Sequence, residues 1–338
     1  MAEIIERPRG YRDTAREMAR RFFRHENAVL AVVLVALIGG MALITKGVTI
    51  RPANMMNVLL HSSIRGVASV GQTFVILSGG IDISLAGVGL LCAAMGSTLM
   101  TGNEWQNIAS HPYPIYLGIP IMLLLGAVFG LVNGSLVSRI AIPSIIVTLG
   151  MWRITWGLAF QIIRGQTIVN LPESLTWFGI GKIAGVPVPV ITFIGVAIVA
   201  YYVLNYTTFG RSVYAVGGSP VSAWLSGINV RNVQLIVFII SGFLAGLAGM
   251  ITMARTMCVM TRTLAGLELD TIASVVVGGV SLFAGKGTII GAIIGVLIIG
   301  VVDNGMSVLG AGPAVQGIAK GAIIFAAVAI DYWRRAGR

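Results

Sequence analysis

Charge is scarce in this chain. Only 10% of its 338 residues are Asp, Glu, Lys or Arg, whereas a water-soluble domain carries roughly a quarter. Carboxylates number 12, histidines 3 and cysteines 2. His25, His61 and His111 lie far apart, outside any zinc-binding spacing, and no G-x-S-x-G nucleophile elbow occurs. Cys92 and Cys258 sit in apolar runs without a C-x-x-C neighbour, which reads as small packing residues and neither a disulfide nor a metal pair. A convergent enzyme centre is therefore not expected.

What the chain has in quantity is apolar surface. It is 56% hydrophobic, with a mean hydropathy of +0.91 and 44 glycines. That excess is too large for one buried core and suits repeated bilayer crossing, which needs about 20 apolar residues per helix. Abundant glycine suits helices packed closely in lipid. The composition predicts an integral membrane protein.

The net charge of +11 could suggest nucleic acid, but its distribution argues otherwise. Seven arginines between Arg7 and Arg24 precede the first apolar run, and Arg334, Arg335 and Arg338 follow the last. Basic residues flanking spans are the usual cytoplasmic signature. Paired arginines before "AVLAVVLVALIGG" resemble an export signal. No A-x-A-like cleavage site follows, and more apolar segments do, so an uncleaved first span is expected.

Ten apolar stretches can be read: Ala28–Thr45, Ala53–Gly79 (interrupted by Arg65, so its first part is a candidate interfacial segment), Asp82–Met100, Pro114–Ser138, Pro143–Arg164, Pro187–Tyr206, Asn232–Ala254, Leu269–Ala284, Gly287–Leu309 and Ala314–Asp331. An eight-span reading that merges 269–309 stays open. With the N-terminus inside, 14 of the 23 basic residues fall on the cytoplasmic side, which supports two cytoplasmic termini. The expected organisation is all-α: a basic tail over 1–27, one transmembrane domain over 28–331, and a short tail over 332–338. "GAVFG" at Gly126 and "GAIIG" at Gly291 lie five spans apart. This is a weak signal for an inverted repeat relating spans 2–5 to spans 7–10, although small-x-x-x-small spacing also recurs in any glycine-rich membrane chain.

Between spans six and seven lies the polar stretch 207–231. Within it "SPVSAWLSGI" predicts a short helix over 219–228, with Ser219 as cap and Pro220 at the first position. Val221, Trp224, Leu225 and Ile228 recur at helical spacing and form one apolar face. Such a helix either lies on headgroups or docks a cytoplasmic partner. "GGVSLFAGKGT" over 278–288 misses a P-loop by one residue in spacing and by the Ser or Thr after its Lys286. The chain is not expected to hydrolyse ATP, to bind a cofactor of its own or to be an enzyme.

An acid inside such a chain is informative, because a charge at the bilayer centre costs about 2.5–3.5 kcal/mol on insertion scales. In "SGGIDISLAG", Gly79 and Gly80 are poor helix formers, while Asp82 and Ser84 are good caps. One helix is expected to end at the glycines and another to start at Asp82, whose carboxylate accepts from free backbone N–H groups. Irregular backbone at membrane depth must face protein or water.

"GGIDISLAG", "GLVNGSLV", "GRSVYAVGGSPVSAWLSGINV", "LDTIASVVVGGVSLFAGKGTIIGAIIG" and "DNGMSVLG" resemble, in order and spacing over about 50–330, the membrane permease subunits of bacterial ribose/xylose-type ABC importers. The resemblance implies a permease of about ten spans in the bacterial inner membrane. Its implied partners are a second permease subunit, a cytoplasmic ABC ATPase and an extracytoplasmic sugar-binding protein that delivers a monosaccharide or polyol. It also implies that Gly217, Ser219, Ala223, Trp224, Leu225, Ser226, Gly227 and Ile228 form the ATPase-coupling loop. Three departures stand out: Asp303 precedes Asn304-Gly305 where Asn is usual, Ala86 intervenes before Gly87, and Pro220 replaces an acidic or small residue. Polar candidates for the pathway or the helix break are Gly79, Gly80, Asp82, Ser84, Asn133, Thr148 and Asn304. The rival readings are a branched-chain amino-acid or nucleoside permease of the same class, and an ATP-independent carrier.

Overall fold

The computed structural model describes residues 26–282 and 285–336. The arginines Arg7 to Arg24 and the last two residues, expected as parts of the basic tails, lie outside the described residues. Six helices are long and apolar enough to cross a membrane. In chain order these are α1 (Glu26–Ile44), α4 (Ile115–Ser138), α5 (Ser144–Ile162), α7 (Val188–Tyr206), α10 (Val230–Thr256) and α12 (Ile289–Val308). Four more occupy the remaining apolar stretches: α2 (Pro52–Leu77), α3 (Leu85–Met100), α11 (Leu267–Val277) and α13 (Pro313–Ala336). The chain is a multi-pass membrane protein. At 16 and 11 residues, α3 and α11 reach only about 24 and 17 Å, less than the roughly 30 Å hydrocarbon core.

α10 is the central helix, packed on α4, α2 and α3. Glycine makes this possible. Gly126, Gly130 and Gly134 line one face of α4, and a Cβ at Gly126 or Gly130 would collide with the carbonyls of Gly242 or Phe238 on α10. Backbones that close gain dispersion contacts where no hydrophobic drive exists between helices in lipid. Gly291 and Gly295 on α12 do the same against Gly278 and Ser274, so each G-A-x-x-G copy serves a close helix crossing. The packing also exchanges between halves: α4 lies on α10 as α12 lies on α2, and α5 lies on α3 as α13 lies on α11.

Two expectations are corrected. α2 runs unbroken through Arg65 and has no separate interfacial segment. The guanidinium is tolerated because Nη2 contacts Asp303 of α12 and, at 3.1 Å, Asp270 of α11. Lys320 of α13 closes the cluster on the same carboxylates at 3.0 and 3.4 Å. Two positive and two negative side chains thus tie four helices together. Removing one partner from such a buried group strands a charge. Arg65→Leu is therefore expected to destabilise by about 2–3 kcal/mol, at the low end for a pair that keeps some water. Arg65→Leu/Asp303→Leu should recover most of that in a detergent thermal-unfolding series, and an additive double mutant would refute the coupling.

The stretch 269–309 is two helices, as the ten-stretch reading has it and the merged alternative does not: α11 stops at Gly278–Gly279. The second correction is that the segments between α5 and α7 carry local structure of their own. A short helix α6 (Thr176–Ile180) packs on α10, and a hairpin of β1 (Lys182–Ile183) and β2 (Val186–Pro187) adds a small exception to the all-helical class. Ile168 and Val259 exchange backbone hydrogen bonds of 2.9 and 3.0 Å, joining that cap to the end of α10.

Candidate functional site

The stretch 207–231 builds two helices where one was expected. α8 (Thr208–Gly218) is capped by Thr207, whose hydroxyl accepts from Gly210 N at 3.1 Å. Its apolar side buries Val213 and Val216 and stacks Phe209 on Phe74 of α2 at 6.5 Å between ring centres. Phe209, Val213 and Val216 recur at i, i+4 and i+7, a signal legible in the sequence. After Ser219 the chain turns into α9 (Pro220–Leu225), shorter than the expected 219–228. Ser219 Oγ accepts from Ser222 N at 3.2 Å, as a cap should, and Gly227, at φ +81°, ends the segment.

α9 presents its apolar side outward. Val221, Trp224 and Leu225 are 68, 68 and 72% exposed, while Ala223 is buried toward the bundle and Ile228 is half-buried. Ser226 and Gly227 are exposed beside them. An exposed Trp, Leu and Val on one turn form an apolar patch, the kind that marks an interaction site.

Gly217 sits at the mechanical centre. A Cβ there would collide with the Leu77 carbonyl oxygen at the end of α2 and press on Gly285 in the segment joining α11 to α12. Tyr214 Oη also donates to Gly287 O at 3.0 Å, and burial raises its pKa above the ordinary phenol value, so it stays a donor. The end of α8 is thus wedged against the end of α2 and the segment that joins α11 to α12. Tyr214, Leu77 and Gly285 were not singled out by sequence reasoning.

Both breaks share one construction. After α2, Gly79 takes φ +85°, with Gly79 N to Ile76 O and Gly80 N to Val75 O both 2.9 Å. After α11, Gly279 takes φ +80°, with Gly279 N to Val276 O at 2.9 Å and Val280 N to Val275 O at 3.1 Å. This is a left-handed helix ending that satisfies the last carbonyls. The glycines that imitate a P-loop over 278–288 include those of this turn.

The next helix, α3, begins at Leu85, three residues later than expected, and Asp82 acts ahead of its cap. Asp82 Oδ1 accepts from Ser84 N at 2.9 Å and Ser84 Oγ at 2.6 Å, and Oδ2 accepts from Ser241 Oγ of α10 at 2.7 Å. Asn133 of α4 donates to Ser84 Oγ at 2.8 Å. Ile81 is held on both sides by α5: its N–H donates to Ser144 Oγ at 3.0 Å and its carbonyl accepts from Thr148 Oγ1 at 3.2 Å. Asp82, Ser84, Asn133 and Thr148 are therefore assembled, each at most 2% exposed, as a knot fixing the break to three helices. Ser241 was missed, yet it is the lone polar residue in the run 235–251. Gly79 and Gly80 line a cleft of about 1130 Å³, with Ser144, Trp224, Arg231 and Gln234, between the break and α9.

Asn304 lies elsewhere. It pairs reciprocally with Asn54 of α2 at 2.7 and 3.0 Å, about 22 Å along α12 from that helix's start. At the break end, Asn27 near the start of α1 accepts from Thr288 at 3.0 Å, so α1 begins beside the second break.

Comparison with known proteins places this arrangement. Residues 54–328 match the family model described as branched-chain amino acid transport system / permease component. The ribose import permease protein of Escherichia coli K12 is 36% identical over 321 residues, covering 92% of this chain and 96% of that protein. The ribose import permease protein of Bacillus subtilis is 37% identical (83% and 85% covered), and the L-arabinose ABC transporter permease protein of Azospirillum brasilense 36% (84% and 81%). No solved structure matches. The chain belongs to the ABC-importer permease family that includes these ribose-type sugar permeases.

Proposed function

We propose that the protein is the membrane subunit of an ATP-driven importer of a monosaccharide or related polyol, in the bacterial inner membrane. The observation that carries the reading is the outward apolar patch of α9, linked through Gly217 to both helix breaks. Its partners are a cytoplasmic ABC ATPase, a second permease subunit and an extracytoplasmic sugar-binding protein. The α9 end of the bundle is cytoplasmic. Ten helices cross or enter the bilayer, with both termini on that side. The exchange of packing between α2–α5 and α10–α13 supports an inverted repeat.

The chain needs no cofactor and breaks no bond. The ATPase grips α9, and α8 carries its movement to the end of α2 and to the segment joining α11 to α12 together. Differential affinity of the ATPase for two states of the permease supplies the free energy of switching. The Asp82 knot keeps the first break rigid while it moves, and the cleft beside it gives the break water instead of lipid.

The test is co-purification with the ATPase and binding protein, followed by ATP hydrolysis with and without sugars. Trp224→Asp, at an exposed position, is expected to insert normally and lose ATPase association. Unchanged complex formation would sink the docking assignment, and concentrative uptake by the chain alone would sink the importer reading.

A further inference from the structure

α5 is a peripheral helix that packs mainly on α3 and leaves most of its surface uncovered. Arg153 is the tenth of its 19 residues, about 14 Å from either end, and is exposed. Gly150 and Gly157, one turn before and one after it, have open space where a Cβ would stand. The guanidinium touches the ring of its neighbour Trp152, 5.0 Å from the centroid, and has no carboxylate or hydrogen-bond acceptor among the described residues. The contrast with the other mid-chain cations is sharp: Arg65 and Lys320 share Asp270 and Asp303.

A lipid-facing guanidinium at that depth is unfavourable, so this face borders water or a polar partner. Among the described side chains, a second copy of the chain offers no free acid to neutralise it. Among acids whose side chains are described, Asp82, Asp270 and Asp303 are engaged within their own chain. Glu104 and Glu173 lie in the loops beyond the helix end, and Glu268 has an oxygen buried inside the bundle. No resident anion therefore meets Arg153 among the described residues.

We infer that Arg153 lines the translocation pathway and binds a carboxylate on the cargo, which makes that cargo an acidic monosaccharide such as an aldonate or uronate. A guanidinium fork matches a carboxylate bidentately, and the flanking glycines leave room for a sugar ring against the helix. The inference rests on the importer reading above.

The test uses the complete importer, permease with ATPase and binding protein, in proteoliposomes. D-gluconate and D-glucuronate are offered beside D-glucose, D-ribose and L-leucine. Uptake and ATPase stimulation by an acid are expected, with the neutral sugars at least about tenfold weaker. Arg153→Leu should lower acid uptake by about tenfold or more while the complex assembles normally, with Arg153→Lys in between. Arg153→Cys should react with a charged thiol reagent from the aqueous phase and be protected by the acid. Transport of neutral sugars alone, unaffected by Arg153→Leu, or an unreactive Arg153→Cys would overturn this assignment and leave the importer reading standing. Stimulation by leucine and by no sugar would overturn the monosaccharide reading itself.

Discussion

Gly217→Ala should abolish coupling while Gly218→Ala, its immediate neighbour, should not. The added methyl at 217 would overlap the Leu77 carbonyl, a backbone atom that cannot rotate away, whereas at 218 nothing lies within 4 Å. Overpacking of this kind costs about 1–3 kcal/mol, here spent in separating α8 from the end of α2. Each 1.4 kcal/mol is about tenfold in the balance between two states. The expected result is sugar-stimulated ATP hydrolysis reduced by about tenfold or more, with ATPase association through α9 retained. Equal activity of the two variants would show that α8 does not transmit movement through this contact.

Asp82→Ala is the second large effect. It would leave Ser84 N, Ser84 Oγ and Ser241 Oγ without their acceptor in a site 2% exposed. Each stranded donor costs about 1–3 kcal/mol, so a loss of about 3–5 kcal/mol is expected, allowing for relaxation. Asp82→Asn keeps one acceptor oxygen and should lose about half as much. Thermal unfolding in detergent reads this directly. A full-stability Asp82→Ala protein that no longer transports would mean that the carboxylate serves the cargo and not the knot.

Much of this was legible in the residues. Turn glycines and apolar lengths located the helices, and the Ser219-Pro220 pair located the start of α9 to the residue. Why an acid sits between Gly80 and Ser84 was answered locally by hydrogen bonds to the next helix. What the sequence could not reveal was long-range. Asp82 reaches Ser241 across 159 positions and Arg65 reaches Asp303 across 238, and no local periodicity encodes such pairs. For the same reason Arg65 read as an interruption of its helix when it is a clasp. The length of α9 was overestimated because Ile228 continues the apolar spacing, whereas the helix stops at Leu225 and the chain turns at Gly227 with positive φ.

The wedge formed by α8 also sets a rule for insertions and deletions. Each residue added between Thr207 and Gly217 would turn the end of that helix by about 100°, swinging Gly217 off Leu77 and Tyr214 off Gly287 at once. That ten-residue interval therefore has a fixed count, like the teeth between two meshed gears. The exposed Trp105 at the opposite end of the molecule takes no part in that mesh.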